Sequence, residues 1–526
     1  MPAEHARPVR LILMLMLLCV TALAGCQLPP LGNRTPSTAL GAEDALATPL
    51  GHAVASELAA HPGLTGIDPL ADPLDAFAVR MKLIQTAQRT LDVEYYIWRD
   101  DLTGTLMLEA LREAADRGVR VRLLLDDNGI PSALDPTLAA LNAHPNVQVR
   151  LFNPFVVRKP KLLNFLWDFS RLNRRMHNKS LTADSMATIV GGRNIGDEYF
   201  AAKDGVVFAD LDVLAIGPAA TDVAHDFDRY WASASAWPAN RILDAPPPHE
   251  LEALDRAAQS VEHNPAAAAY MESIAQTTDV SRLMDGTLPL EWAKTRLVSD
   301  DPVKAKGKAA RNSLVITQLR TILGDPKREL DLVSPYFVPG AAGTRYLTGL
   351  AQNGVAVRIL TNSLEATDVL PVHAGYARRR EALLEGGVHL YELRRAAGVT
   401  DGKNGGKEKL GRVFGASGSS LHAKTFAVDG QRVFVGSLNF DPRSMHLNTE
   451  LGLVIDSPEL AQRIESTFWT QVPQLAYEVR LKPDGSLYWI KRIGNTTVRY
   501  DTEPNTTWAT RLGVWFFSIL PIEWML

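Results

Sequence analysis

The chain has 526 residues, 46% hydrophobic and 22% charged, which describes a globular protein of two or three domains and excludes disordered and fibrous classes. Fifty-five basic side chains stand against 59 acidic ones, a formal net charge of −4. That balance argues against a nucleic-acid binder, whose surface is basic.

In chain order, residues 1–26 read as a lipoprotein signal peptide. Arg7 and Arg10 make a basic start, and Leu11 to Leu23 is an apolar run interrupted only by Thr21. The run has the length of a signal-peptide core and is too short for a comfortable membrane span. It ends in Leu23-Ala24-Gly25-Cys26, a string that resembles the lipobox of bacterial lipoproteins; a plain secretory signal or a short anchor is the alternative. Cys26 is the expected lipidation site. Cys19 would leave with the peptide, so no disulfide or cysteine-held metal site is expected. The resemblance implies a bacterial membrane-anchored lipoprotein on the periplasmic side, and Gln27 after the cysteine points to the outer membrane.

Residues 27–70, rich in Pro, Gly, Ala and Thr, read as a tether, with regular structure from about Asp75. Beyond it lies a duplication. Leu91-Asp92-Val93 opens a strand to Trp98. A helix with Leu108, Leu111 and Ala115 on one face follows, Gly118 caps it, and Val119 to Leu125 alternates as a second strand. About 240 residues later Leu330-Asp331-Leu332, a helix through Leu347 and Leu350, Gly354 and Val355 to Ile359 repeat the unit. Two α/β domains are expected, over 71–240 and 313–475, joined by a partly helical connection over 241–312. A C-terminal extension with an apolar end follows over 476–526. Asp401 to Gly411 reads as a solvated loop without phosphate-loop spacing.

The chemistry lies in a repeated string. HNKSLTAD supplies His177, Lys179 and Asp184, followed by Gly191, Gly192 and Asn194; HAKTFAVD supplies His422, Lys424 and Asp429, followed by Gly436, Ser437 and Asn439. Each corresponding pair is 245 residues apart. On a strand, positions i and i+2 share a side, so each His and Lys can face one ligand. Asp184-Ser185 and Asp429-Gly430 read as hairpin turns, which makes the motif aspartates organisers of local structure rather than proton carriers. The small residues after each return strand let backbone and Asn side chains approach a phosphate.

These strings resemble the phospholipase D superfamily. GGRNIGDEYF, TNSLEATDVLPVHAGY, GSLNFDPRS and LNTE narrow the resemblance to the bacterial cardiolipin synthases, in their lipoprotein-like branch. The resemblance implies two pseudo-symmetric phospholipase D-like domains, each a mixed β-sheet flanked by helices, with the active site at their interface. It implies phosphatidyl transfer through a phosphohistidine, with no cofactor and no metal. His177 is then the nucleophile and His422 the acid/base, while Lys179, Lys424, Asn194 and Asn439 hold the phosphate oxygens. Each imidazole needs a carboxylate to fix its tautomer. Glu450 is expected to serve His422 and Asp210 to serve His177, with Asp212, on the same face of a Phe208–Ile216 strand, as the alternative.

Expected substrates are phosphatidylglycerol and phosphatidylethanolamine, at a membrane and not on nucleic acid. A phospholipid hydrolase of the same fold is the alternative, and a nuclease a more distant one. His249 and His373 read as structural, and Asp126-Asp127 as a loop cap or substrate contact. Between Phe155 and Arg175 an apolar centre with basic flanks suits an anionic bilayer interface or, equally, a core helix. The apolar run from Leu512 to Leu520 has the same two readings.

Overall fold

Two copies of one eight-strand pattern build the protein. The computed structural model describes residues 27–32, 34–202, 207–263, 265–395 and 420–526. The expected signal peptide with Cys26 and the Asp401–Gly411 stretch lie outside the described residues.

In the first half the strands are β1 (Thr65–Leu70), β2 (Thr90–Ile97), β3 (Arg120–Gly129), β4 (Val147–Phe152), β5 (Ser180–Ala183), β6 (Ala187–Gly191), β7 (Phe208–Ala209), β8 (Asp212–Ile216) and β9 (Ala236–Pro238). The second half has β10 (Glu291–Ser299), β11 (Glu329–Val333), β12 (Ala356–Asn362), β13 (His389–Leu393), β14 (Ser420–Leu421), β15 (Thr425–Val428), β16 (Arg432–Gly436) and β17 (Leu451–Asp456). The extension adds β18 (Ala476–Leu481), β19 (Leu487–Ile493) and β20 (Thr496–Tyr500).

Pairing gives the order β9-β4-β3-β2-β5-β6-β8-β1 in one half. It gives β18-β13-β12-β11-β15-β16-β17-β10 in the other. In each, three parallel strands are linked through helices, and a hairpin carries the chain back antiparallel. Strand β10 pairs with β1 through Glu291–Ala293 and with β17 through Lys294–Ser299, so both halves share one 18-stranded sheet. Within the first copy, the Asp101 carboxylate accepts from Gly104 N–H to start the Leu102–Asp116 helix, and Gly118, at φ +94°, closes it.

The duplicated Asp in the opening strands has a structural use. Asp92 lies opposite Arg122 across β2 and β3, and Asp331 opposite Arg358 across β11 and β12. Both pairs are buried and bidentate. Removing one partner would strand a buried charge, at a cost of about 3–5 kcal/mol.

Three expectations are corrected here. The 27–70 tether is folded for much of its length: helices Ala42–Leu46 and Pro49–Ala60 precede β1, and Leu50 and Val54 are buried. Its periodicity is weak because β1 is stabilised by neighbours on both sides and carries Asp68-Pro69, a poor strand sequence in isolation. Secondly, the 241–312 connection holds three helices, Glu250–Glu262, Pro265–Gln276 and Asp279–Met284, but also β10, the counterpart of β1. Finally, the Phe208–Ile216 strand is broken at Asp210-Leu211: β8 stays in the large sheet while β7 leaves it to pair with β14 of the other half.

Among the described residues no helix is long and apolar enough to cross a membrane. The Trp508–Ile519 helix packs instead on the Leu370–Ala377 helix through Val514 and Phe517 against Leu370, Ala374 and Ala377.

Candidate active site at the interface of the halves

Each His-x-Lys tripeptide lies in an extended segment just before its strand, β5 or β15, rather than inside it. The reason is visible in its backbone bonds, which go to the opposite half. His177 N–H donates to Thr449 O at 2.9 Å, and Thr449 N–H returns a bond to Arg175 O at 2.9 Å. His422 and Ala423 N–H both donate to Ala209 O, at 2.8 and 2.9 Å.

The residue after each acceptor is a carboxylate, so the backbone pairing delivers it to the imidazole. His177 Nδ1–H donates to Glu450 Oε2 at 2.8 Å, and His422 Nδ1–H to Asp210 Oδ2 at 2.5 Å. This reverses the expected assignment, which gave Glu450 to His422 and Asp210 to His177. Each carboxylate follows its own half in sequence and serves the histidine of the other. Asp212 is no candidate, because it is the buried counter-ion of Arg80 and Arg193.

All six groups are buried: His177 is 6% and His422 7% exposed, and Lys179, Lys424, Asp210 and Glu450 1% or less. They act on one another's ionisation, which places them in one site. Burial pulls His177 down to about 4 and His422 to about 3, with Lys179 and Lys424 adding to it and the paired carboxylates opposing. Glu450 and Asp210 are held below the usual carboxylate range, since the attraction of the histidines and lysines outweighs burial. At neutral pH both imidazoles are therefore neutral and both carboxylates ionised. The lysines are lowered too, Lys179 to about 7 by burial and Lys424's charge, and Lys424 to about 8 by burial. Two buried lysines close enough for one charge to depress the other suit an anionic ligand.

Further contacts orient the rings. Tyr96 meets His177 edge-on at 5.1 Å, and Tyr199 meets His422 in the same way at 5.1 Å, with Phe208 tilted beside it. Lys179 Nζ donates to His177 O at 2.6 Å, while Lys424 Nζ reaches His422 O and lies 2.9 Å from its Nδ1 and 3.2 Å from its Nε2. Ser437 Oγ–H donates to Glu450 Oε2 at 2.5 Å and accepts from Leu451 N–H. In the first half Gly192 stands where Ser437 stands in the second; a Cβ there would sit 2.1 Å from Asp210 Oδ1, so no side chain fits. Asp300 holds the Glu450 N–H at 2.9 Å.

The two asparagines differ. Asn194 Oδ1 accepts from Ile97 N–H and its Nδ2 donates to the Tyr199 hydroxyl, so it supports the ring that faces His422. Asn439 Oδ1 is buried and has no hydrogen-bond partner among the described residues. The motif aspartates are engaged at the hairpin tips. Asp184 accepts from the N–H groups of Gln88, Arg89 and Thr90, and Asp429 from those of Lys327, Arg328 and Glu329.

Asp126 accepts from Arg175 and Met176 N–H, and Asp127 pairs with Arg158 and Lys161, which makes the Asp126-Asp127 pair an anchor for the approach to His177. His373 is buried beside Arg380 and Glu503, and His249 is exposed near Glu252. Sequence reasoning missed Tyr96, Tyr199, Phe208 and Asp300, and read Ser437 only as a small residue beside a phosphate, not as a partner of Glu450. Two carried a signal: Ser437 at the second-copy offset that Gly192 occupies in the first, and Tyr199 inside GGRNIGDEYF.

Comparison with known proteins identifies the family. The family described as cardiolipin synthase, PLD-like domain, matches residues 81–231 and 319–472. Cardiolipin synthase C of Escherichia coli (strain K12) is 50% identical over 468 residues, 89% of this chain and 97% of that protein. An uncharacterized protein of Helicobacter pylori (strain ATCC 700392 / 26695) is 30% identical over 486 residues, 91% of this chain and 93% of that one. Among solved structures, phosphatidylserine synthase of Haemophilus influenzae superposes with a TM-score of 0.52 at 15% identity, over 81% of this chain and 92% of that one, a likeness of fold.

Proposed function

The chain belongs to the cardiolipin synthase family of phospholipase D-like proteins, and from that membership we propose the following course for its phosphatidyl transfer. The observation that carries it is the crossed arrangement of two neutral imidazoles, each held by a carboxylate of the opposite half, around two buried lysines.

His177 Nε2 attacks the phosphorus of a phospholipid, and the bond to the leaving alcohol breaks. His422, as imidazolium, gives its proton to that alcohol. The charge of the bound phosphodiester raises the proton affinity of the buried ring, because an anion between the rings favours the imidazolium. The acceptor hydroxyl then gives its proton to His422, its oxygen attacks phosphorus, and the P–N bond breaks. Lys179 and Lys424 neutralise the non-bridging oxygens throughout. Asn439 Nδ2 is the amide donor for the phosphate oxygens in this scheme, whereas Asn194 acts through Tyr199.

Phosphatidylglycerol supplies the acceptor hydroxyl in this scheme, and either it or phosphatidylethanolamine supplies the phosphatidyl group. Water in the acceptor's place would make the same site a hydrolase. The test is expression in cells that lack cardiolipin, followed by assay of the purified enzyme on phosphatidylglycerol. Cardiolipin is the expected product, with glycerol released and a rate unchanged by EDTA. Phosphatidic acid as sole product would make the enzyme a hydrolase, and loss of rate restored by one divalent ion would overturn the metal-free scheme.

We further propose that the mature chain begins at a lipidated Cys26 and is held on the periplasmic side, at the outer membrane. The support is the LAGC boundary after a short apolar run and Gln27 following it. An acyl mass on Cys26, absent from a Cys26→Ser variant that no longer sediments with membranes, is the expected result; an unmodified Cys26 would refute it.

A further inference from the structure

Two apolar helices of this protein are exposed rather than buried. The Lys161–Asn164 turn and the Phe165–Leu172 helix that continues it show Leu162 at 76% and Leu166 at 81% exposure, with Phe169 also exposed. The Trp508–Ile519 helix shows Trp515 at 59% and Ile519 at 58%, with Leu512 and Phe516 also exposed. Isolated exposed apolar side chains are ordinary, but contiguous aromatic and aliphatic ones mark a docking surface.

The short Pro442–His446 helix brings the two together. Arg443 N–H donates to Leu526 O at 2.9 Å, at the end of the C-terminal segment. The Arg443 guanidinium donates to Asn173 O and Oδ1 at 3.1 and 2.6 Å, just after the Phe165–Leu172 helix, and Arg174 donates to His446 O. These links lie beside the catalytic residues. Asn173 precedes His177 by four positions, and the Pro442–His446 helix begins three residues after Asn439. The Leu370–Ala377 helix, on which the C-terminal helix packs, follows Asp368, whose charge acts on Lys424.

A basic rim borders the first helix. Lys306 and Lys308 are exposed, Arg174 packs beside Gly307 between them, and the charges of Lys308 and Arg171 bear on Lys306. Crowded like charges beside an apolar face are relieved by an anionic surface with a hydrocarbon interior. Each helix is too short to span a bilayer and suits its interface.

We propose that the Phe165–Leu172 and Trp508–Ile519 helices form one bilayer-docking face, seated on anionic phospholipid beside the entrance to the active site. The proposal rests on the lipid-substrate reading above and adds the surface through which the lipid arrives.

The test uses the full chain and three paired variants, Leu162→Ser/Leu166→Ser, Trp515→Ser/Phe516→Ser and Lys306→Glu/Lys308→Glu. Each is assayed on vesicles of phosphatidylglycerol in phosphatidylcholine, and on short-chain phosphatidylglycerol kept monomeric. Each pair is expected to lower the vesicle rate about tenfold or more and to leave the monomer rate within about twofold. Tryptophan quenching by lipids brominated on the acyl chains should fall in a Trp167→Phe/Trp515→Phe variant. This readout needs no turnover, so it decides the docking face even if transfer fails. Undiminished vesicle rates would overturn the proposal, as would equal losses on monomeric lipid, which would make these residues part of the substrate channel. Conversion of a dimer to a monomer by the same substitutions would overturn it in favour of a contact between two copies of the chain.

Discussion

A His177→Ala enzyme is expected to form no phosphohistidine and to lose about 10⁴-fold or more in turnover, because the attacking nitrogen is gone. That factor corresponds to about 5 kcal/mol of transition-state stabilisation. His422→Ala should be slowed comparably for a different reason. It keeps the nucleophile but cannot protonate the leaving alcohol or take the acceptor's proton. With a substrate whose leaving group departs without help, the first step recovers and the second does not, so the intermediate accumulates on His177. Mass spectrometry of histidine-containing peptides from each variant separates the two roles. Label on His422 in a His177→Ala enzyme would reverse the assignment and leave the crossed site intact.

The crossed carboxylates give the second large effect. Glu450→Gln removes the charge that fixes the His177 tautomer and should cost about 10³–10⁴-fold, as should Asp210→Asn at His422. The decisive measurement is made in the His422→Ala background with a good leaving group. Adding Asp210→Asn there should change little, since the ring it serves is already gone. Adding Glu450→Gln should abolish the accumulated phosphohistidine, since Glu450 holds the nucleophile. The opposite pattern would show that each carboxylate serves the histidine of its own half. Groups that act as a unit lose activity non-additively, so double variants within a pair should be no worse than the histidine variant alone.

Much of the site was legible because the gene carries it twice. The offset of 245 residues shared by His, Lys, Asp and Asn marked the chemistry, and the strand–helix–strand repeat marked the fold around it. The hairpin turns were also readable, since Asp184-Ser185 and Asp429-Gly430 bring local turn chemistry, and both aspartates have positive φ. Less legible were β1 and β10. Neither has a clean alternating pattern, and each is defined by strands on both sides, β1 by β8 and β10, β10 by β1 and β17. Such a strand takes its stability from neighbours that are distant in sequence, so its own composition says little.

By itself the sequence determined the residue types of the candidate site, their duplication and the family. Those follow from spacing, which is a property of the linear chain. The tertiary structure alone decided which carboxylate serves which histidine. Asp210 and Glu450 follow their own motifs in sequence, yet the backbone bonds of His177 to Thr449 and of His422 to Ala209 exchange them between halves. It also decided that Asn194 supports Tyr199, and that two short apolar helices, which in isolation suit a core as well as a membrane, face outward. The physical reason is common to all three. A hydrogen bond or a buried face is a relation between segments, and local periodicity records what a segment prefers but not which partner it meets.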